Sequence, residues 1–319
     1  MIVCVCMNPS YDRTMEVAGM HLGETNRVLS SQSVPGGKGI NVSIALDILG
    51  QSSICIGLAG EKNRSQFDRM LKEMHLHGDF LSIPGEIRTN IKIIDRDQTR
   101  LVTELNEPGP EVDEKTLRHL TDLLLSYRSS ISMLVLTGSL PPKAPADYYR
   151  QVIAKMQKHG IPCVLDASGE ALKEGLKASP FLVKPNRSEL EQLEGTQFCS
   201  PQEIAACAMK YVKSGVQMMA VSLGKEGALI AGADGVFQAK GVKVKTLTTV
   251  GAGDFMVAGL IDGYLRTHNS QEALKIGSAM AAMRITSLTP DREEAEARIK
   301  DIEVSPIDKF PKELSGAGE

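Results

Sequence analysis

The chain has 319 residues, of which 42% are hydrophobic and 24% charged, and its formal net charge is −3. That length allows one or two domains with a sizeable core, and that composition excludes a disordered chain. The small net charge, the 4% aromatics without tryptophan and the lack of a long basic run offer nucleic acid neither a footprint nor a stacking platform, and no apolar run reaches the roughly 18 residues of a membrane span.

The chain starts with MIVCVCMNPS, apolar from the first residue and without a basic stretch, which reads as a strand rather than a signal peptide. Strands are predicted over 2–7, 53–59, 132–138, 162–167, 181–185 and 218–224. Between them lie GKGINVSIALDILG, RSQFDRMLKEMHLHG, DEKTLRHLTDLLLSY, PADYYRQVIAKMQKHG and PQEIAACAMKYVKSG. These carry apolar residues at three-to-four spacing, and most end in glycine, as helices do. The alternation predicts a layered α/β fold with a mostly parallel sheet, and strands with few polar residues fit burial on both faces.

Two stretches break the pattern. Residues 14–34 have no helical period, and residues 88–105 alternate around a polar turn at Asp95–Asp97. Both are expected to be antiparallel ribbons that pair into a small second sheet over one edge of the core. From Gly251 to about Ser287 the pattern is helical again, and the charged tail after Pro290 is expected to hold one more short helix before a frayed end. There is no fixed-period repeat and no low-complexity segment.

The cysteines are Cys4, Cys6, Cys55, Cys163, Cys199 and Cys207, with no CxxC pair. Most sit in apolar runs, so buried thiols in a reducing, cytoplasmic setting are expected rather than disulfides. There is no HExxH, and His75 with His77 reads as a solvated helix end rather than a metal site.

Several motifs could carry chemistry. VPGGKGIN (34–41) sets three glycines around Lys38 just before a helix, where bare amides attract anions. It is neither a Walker A loop nor a dinucleotide GxGxxG, and such a turn can equally be structural. TVGAGD (249–254) opens another long helix. An acid at Asp254 would repel a phosphate, but it makes sense as the base for a hydroxyl attacking that phosphate; the plain alternative is a first-turn acid favoured by the helix dipole. In KPNRSEL (184–190), Asn186 and Glu189 have capping-box spacing; the functional reading has Glu189 holding water on magnesium. VSLGKEGAL (221–229) is a strand–turn–strand, either an ordinary hairpin or a nucleotide-facing loop. NPSYD (8–12) and TGSLPP (137–142) follow apolar strands, which sets Asp12 and Ser139 where an open parallel sheet binds ligands, although both are also common turn formers. Arg88 and Asn90 start the second ribbon and could reach the same cleft.

The order of these motifs resembles that of the ribokinase-like (PfkB) carbohydrate kinases along nearly the whole chain. GGKGINVSIALDILG is similar to the family's N-terminal signature and TVGAGDFMVAGLIDGYL to its C-terminal one. Between them NPSYD, RTNIKI, TGSLPP, VLDASGEAL, KPNRSEL and VSLGKEGAL follow the order of its phosphosugar branch. LGETNRV, RTNIKI and SGEALKEGLKASPFLVKPNRSEL resemble members acting on fructose 1-phosphate, while GPEVD and PADYY suit members acting on tagatose 6-phosphate equally well.

The resemblance implies a three-layer α/β/α sandwich with a mostly parallel sheet and a small inserted β-sheet lid. The core would comprise 1–12, 35–86 and 107–319, and the lid 13–34 and 87–106. It implies an ATP- and Mg2+-dependent kinase for a ketohexose monophosphate, first fructose 1-phosphate to fructose 1,6-bisphosphate, with tagatose 6-phosphate as the rival. Asp254 would be the base, and Gly251, Ala252 and Gly253 the anion hole. Asp12, Gly37, Lys38, Asn41, Arg88, Asn90 and Ser139 would bind the sugar phosphate. Lys184, Asn186, Glu189, Ser222, Gly224 and Gly227 would surround ATP, with Glu189 reaching the metal through water. Homodimerisation through the lid is a further expectation; nucleic acid and membrane are not expected partners. One departure stands out: Phe255 occupies a position where that branch usually has serine. The rivals from other classes are a non-catalytic sugar-phosphate sensor, which loss of Asp254 would have favoured, and an NAD-dependent oxidoreductase, which the missing GxGxxG argues against.

Overall fold

Strand β1 (Ile2–Cys6) divides the molecule into two cores. Ile2, Cys4 and Cys6 point into one and Val3 and Val5 into the other, because successive strand residues face opposite sides. A computed structural model describes residues 1–97, 101–242, 244, 246–287 and 289–307. The tip of the second ribbon at 98–100 and the expected frayed end lie outside the described residues.

After β1 come β2 (Ser10–Val17) and β3 (Val28–Gly36), then α1 (Lys38–Ile48), β4 (Ser53–Gly60), α2 (Arg64–Glu73) and β5 (Gly78–Ile83). The second ribbon is β6 (Arg88–Asp95) and β7 (Leu101–Asn106). Alternation resumes with α3 (Glu114–Ser126), β8 (Met133–Thr137), α4 (Tyr148–Gln157), β9 (Cys163–Asp166), α5 (Gly169–Leu176), β10 (Leu182–Val183), α6 (Arg187–Glu194) and α7 (Pro201–Lys213). A meander of β11 (Met218–Ser222), β12 (Gly227–Gly232) and β13 (Gly235–Lys240) leads to α8 (Ala252–Thr267), α9 (Ser270–Thr286), α10 (Arg292–Asp301) and β14 (Val304–Pro306).

The large sheet has ten strands in the order β14-β13-β12-β11-β10-β9-β8-β1-β4-β5. It is parallel from β11 to β5 and antiparallel from β11 to β14. Helices α1, α2, α8, α9 and α10 cover the face that holds Cys4, and α3 to α7 cover the other, which is the expected three-layer sandwich. The small sheet runs β3-β2-β6-β7, with two antiparallel ribbons joined by a parallel β2–β6 contact. Its strands reach further than the sequence pattern suggests. β2 begins at Ser10 and β3 ends at Gly36, so Asp12 lies on a strand rather than in a turn.

Five of the six cysteines are buried, and Cys199 is exposed. Burial pushes the thiols of Cys4 and Cys6 up to about 12, which leaves them protonated packing groups. Among the described residues no helix is long and apolar enough to cross a membrane.

Candidate active site

β1, β8, β9, β10 and β11 are parallel, so their C-terminal ends meet on one side of the sheet. Each runs into a candidate segment. β1 leads to Asp12, β8 to Ser139, β10 to Lys184, and β11 ends at Ser222. The same side receives the first turns of α1 and α8. Asn41 Nδ2 donates to Asp254 Oδ2 at 2.7 Å, and Lys38 Nζ donates to Asp166 Oδ2 at 3.2 Å.

The α1 turn depends on a glycine. Gly37 is the N-cap with φ of 119°, and a Cβ there would stand 2.7 Å from Cys6 Sγ, so a side chain would be both strained and blocked. Gly251 is likewise a left-handed N-cap, to α8. Neither cap has a side-chain hydrogen bond to the amides of its helix, and the Ala252 amide has only a long 3.4 Å bond to the Thr249 carbonyl, so the start of α8 can turn amides to an anion.

Asp254 is buried at the first turn of α8. Burial and the charge of Asp166 push its carboxyl up to about 6, against the pull of Lys38, Asn41 and Lys184. It is therefore a carboxylate near neutrality that accepts a proton more readily than an exposed aspartate.

Asp166, which closes β9, is a site residue that the motif reading missed. It is 1% exposed. Thr137 Oγ1 donates to its Oδ2 at 3.1 Å, as does Lys38, and Lys184 Nζ lies 3.2 Å from Oδ1 as an ion pair off the hydrogen-bond direction. Burial would raise its carboxyl, but Lys184 and Lys38 outweigh that and hold it below the usual range. Reciprocally, burial would lower Lys38, but Asp166 and Asp254 hold it charged. One buried acid thus orients two ammonium groups.

The small sheet sets Asp12, Arg88 and Asn90 on one of its faces, with Asp12 in register with Asn90. Asp12 Oδ1 accepts from Ser10 Oγ at 2.7 Å and from Asn90 Nδ2 at 2.9 Å. Arg88 Nη1 donates to the Glu107 carbonyl at 2.8 Å. Buried polar atoms without a hydrogen-bond partner include three near this face: Arg88 Nε, Asn90 Oδ1 and Asn8 Oδ1. Ser139 is exposed and follows Gly138, whose Cβ position is 3.5 Å from that of Lys38. A cavity of about 630 Å3 opens between Pro84–Arg88 and Glu107–Glu111, and of the candidate residues only Arg88 lines it.

The residues expected on the nucleotide side form a second group. Asn186 pairs with Ser222 in an isolated parallel bridge, and Gly224 and Gly227 flank a single tight turn between β11 and β12. Asn186 and Glu189 make the full capping box of α6, Asn186 Oδ1 accepting from the Glu189 amide and Glu189 Oε2 from the Asn186 amide, each at 2.8 Å. Lys184 joins the two groups: its Nζ is 3.4 Å from the Cβ position of Gly253. Among the described residues no cluster of three or more His, Cys, Asp or Glu side chains could cage a metal.

Phe255 also finds its explanation. Its buried ring lies under the guanidinium of Arg284, 5.5 Å from centroid to Cζ. Arg284 Nε in turn sits 3.3 Å from the Cβ position of Gly251. Burial lowers that guanidinium below its usual value while Asp254 raises it. The sequence pattern carries no sign of this cation, which sits near the end of a long helix.

The comparisons with known proteins agree with this fold. The family profile described as pfkB family carbohydrate kinase matches residues 6–294. A protein of Escherichia coli K12 named 1-phosphofructokinase is 32% identical over 310 residues, covering 96% of this chain and 98% of that protein. One of Bacillus subtilis with the same name is 33% identical over 277 residues, covering 87% and 90%. Among solved structures, Escherichia coli phosphofructokinase-2 in complex with fructose-6-phosphate superposes with a TM-score of 0.87 at 27% identity, covering 94% of this chain and 98% of that one.

Proposed function

The chain belongs to the pfkB family of carbohydrate kinases, and from that premise we propose that it transfers the γ-phosphoryl of ATP to fructose 1-phosphate, giving fructose 1,6-bisphosphate. One observation carries the reading: a buried carboxylate pushed up to about 6 at an anion-binding helix start, beside two lysines oriented by Asp166. The similarity to proteins named 1-phosphofructokinase favours fructose 1-phosphate over tagatose 6-phosphate.

In this reading Asp254 takes the proton of the substrate hydroxyl as its oxygen attacks the γ-phosphorus. The amides of Gly251, Ala252 and Gly253 receive the charge that develops on the transferring oxygens. Lys38, Arg88, Asn41, Asn90, Asp12, Gly37 and Ser139 hold the sugar phosphate; the unpaired Arg88 Nε and Asn90 Oδ1 support that assignment. Lys184, Asn186, Glu189, Ser222, Gly224 and Gly227 line the ATP side. The carboxylates available fit a magnesium ion held mainly by phosphates and water: Glu189 uses only Oε2 in its capping box, and its Oε1 would reach the ion through water. When bound, that ion neutralises phosphate charge.

We take 13–34 and 87–106 as a lid on a core of 1–12, 35–86 and 107–319, supported by the separate four-stranded sheet. On that sheet Met15, Ile91, Ile93 and Leu105 share the face opposite Asp12, Asn90 and Lys92, and Leu105 is exposed. This apolar patch, bordered by Arg13 and Thr103, supports a homodimer formed through the lid. Buried, protonated thiols fit a cytoplasmic enzyme.

The test is kcat/KM for fructose 1-phosphate, tagatose 6-phosphate, fructose 6-phosphate and free fructose, read as ADP release. Fructose 1-phosphate should rank first. Free fructose should fall behind by several orders of magnitude, because charge-assisted contacts contribute roughly tenfold to a hundredfold each. Equal turnover of free fructose would reject the phosphosugar reading, and a higher value for tagatose 6-phosphate would reassign the substrate.

A further inference from the structure

Arg88, Asn90 and Lys92 form one row on β6, since alternate strand residues face the same way. The strand register sets Glu104 of β7 directly across from Lys92, with Thr14 of β2 on its other side. Opposite charges so placed commonly pair on a sheet. Here the Lys92 amine leaves the sheet instead. Its Nζ donates to Thr248 Oγ1 at 3.2 Å, across 156 positions of sequence.

Thr248 is buried and stands three residues before the anion turn. Its Oγ1 also accepts the Val250 amide at 3.2 Å, and its own amide is held by the Ile285 carbonyl of α9 at 3.3 Å. One hydroxyl therefore uses both lone pairs, one for the lid and one for the residue preceding Gly251. Among the described residues, Lys92 makes the hydrogen bond that joins β6 to the segment 246–254. The Asp12–Asn90 pair lies on the same lid face, two residues away along β6.

We propose that Lys92 is a positioning residue: through Thr248 it locks the lid onto the segment that sets the amides of Gly251, Ala252 and Gly253. The strand that meets the sugar phosphate then also holds the turn that receives the phosphoryl group. Closure over the acceptor and alignment of the anion hole become one event. This rests on the kinase reading above.

The test is a double-mutant cycle on the full chain, with kcat and both KM values measured for ATP and fructose 1-phosphate. Lys92→Met and Thr248→Val should each lower kcat by about 10- to 100-fold, the loss of one charge-assisted bond, with KM for ATP within about threefold of wild type. Thr248→Ser, which keeps the hydroxyl, should retain most of kcat. The double variant should be no slower than the worse single variant. Additive losses, or a loss in Lys92→Met with none in Thr248→Val, would overturn the proposal, the latter by assigning Lys92 to the substrate itself. Wild-type activity with both variants unimpaired rejects the latch alone, whereas a wild-type chain inactive on every ketohexose monophosphate rejects the kinase reading with it.

Discussion

Asn41 Nδ2 donates to Asp254 Oδ2 across 2.7 Å, joining residues 213 positions apart. The bond ties the first turn of α1 to the first turn of α8, so the two glycine turns hold a fixed relation. It also favours the ionised carboxylate, against burial and the charge of Asp166, which together push the group up to about 6. The balance leaves an acid that is ionised near neutrality and close to the range where a general base works best.

Replacing Asp254 by asparagine separates the base from a helix-start acid. If the carboxylate only favoured the helix dipole, the change would cost about 0.3–1 kcal/mol of stability and spare activity. As the base, its loss should lower kcat by roughly 10²–10⁴. Stability should not fall: the raised pKa means that the folded state disfavours the charge, and the amide oxygen can still accept from Asn41. Kcat and Tm measured on the same Asp254→Asn preparation decide it. A folded variant with more than about a tenth of wild-type kcat rejects the base assignment.

Asp166 makes the pH profile diagnostic. Because Asp254 must be ionised, wild-type kcat/KM should decline on the acid side with an apparent pKa near 6. Asp166→Asn removes one cause of that elevation, so the acid limb should move to lower pH. The same change leaves Lys184, only 4% exposed, without its counter-charge. Breaking such a buried pair costs about 3–5 kcal/mol, so Tm should drop by roughly 5 °C or more. An acid limb that stays in place would show that Asp166 does not tune Asp254.

The Phe255 ring supports Arg284 beside Gly251. Phe255→Leu keeps an apolar side chain in the buried site but removes the π face. A cation–π contact contributes about 0.5–2 kcal/mol, so Tm should fall by a few degrees and kcat by severalfold as the guanidinium loses its seat. Arg284→Met should reproduce the kinetic change, and the two should not add. A Phe255→Leu variant with a lower Tm but full kcat would confine the pair to stability.

Legibility followed burial. β1, β4, β8 and β9 are apolar runs buried along most of their length, and the apolar pattern alone predicts them. β5 escapes that reading because GDFLSI mixes exposed and buried positions at a sheet edge. β14 escapes it because three residues gain strand character only from their pairing with β13. The two glycine turns and Asp254 announce themselves by spacing. Asp166 does not: an acid ending an apolar strand looks like any turn former until Lys38, 128 positions away, reaches it. Arg284 and Thr248 acquire meaning only from neighbours distant in sequence.

Gly36 leads to the sharpest test of the sugar-phosphate role proposed for Asp12 on the small sheet. A Cβ on Gly36 would stand 2.2 Å from both Cγ and Oδ2 of Asp12, far inside contact distance. The carboxylate cannot swing away freely, since Ser10 Oγ and Asn90 Nδ2 both hold its Oδ1. Gly36→Ala must therefore break that cluster or push β3 outward, and β3 is an edge strand that can yield. Either movement displaces Asp12 from the position opposite Asn90. KM for the sugar phosphate should rise by about 10- to 100-fold, the loss of one or two hydrogen bonds to a charged group. KM for ATP should stay within about threefold, because the residues assigned to the nucleotide lie on elements outside the small sheet. The control is the same substitution in an Asp12→Ala background, where no carboxylate remains to collide with. There Gly36→Ala should add little, and a full additional loss would mean that the glycine acts through the backbone of β3 rather than through Asp12.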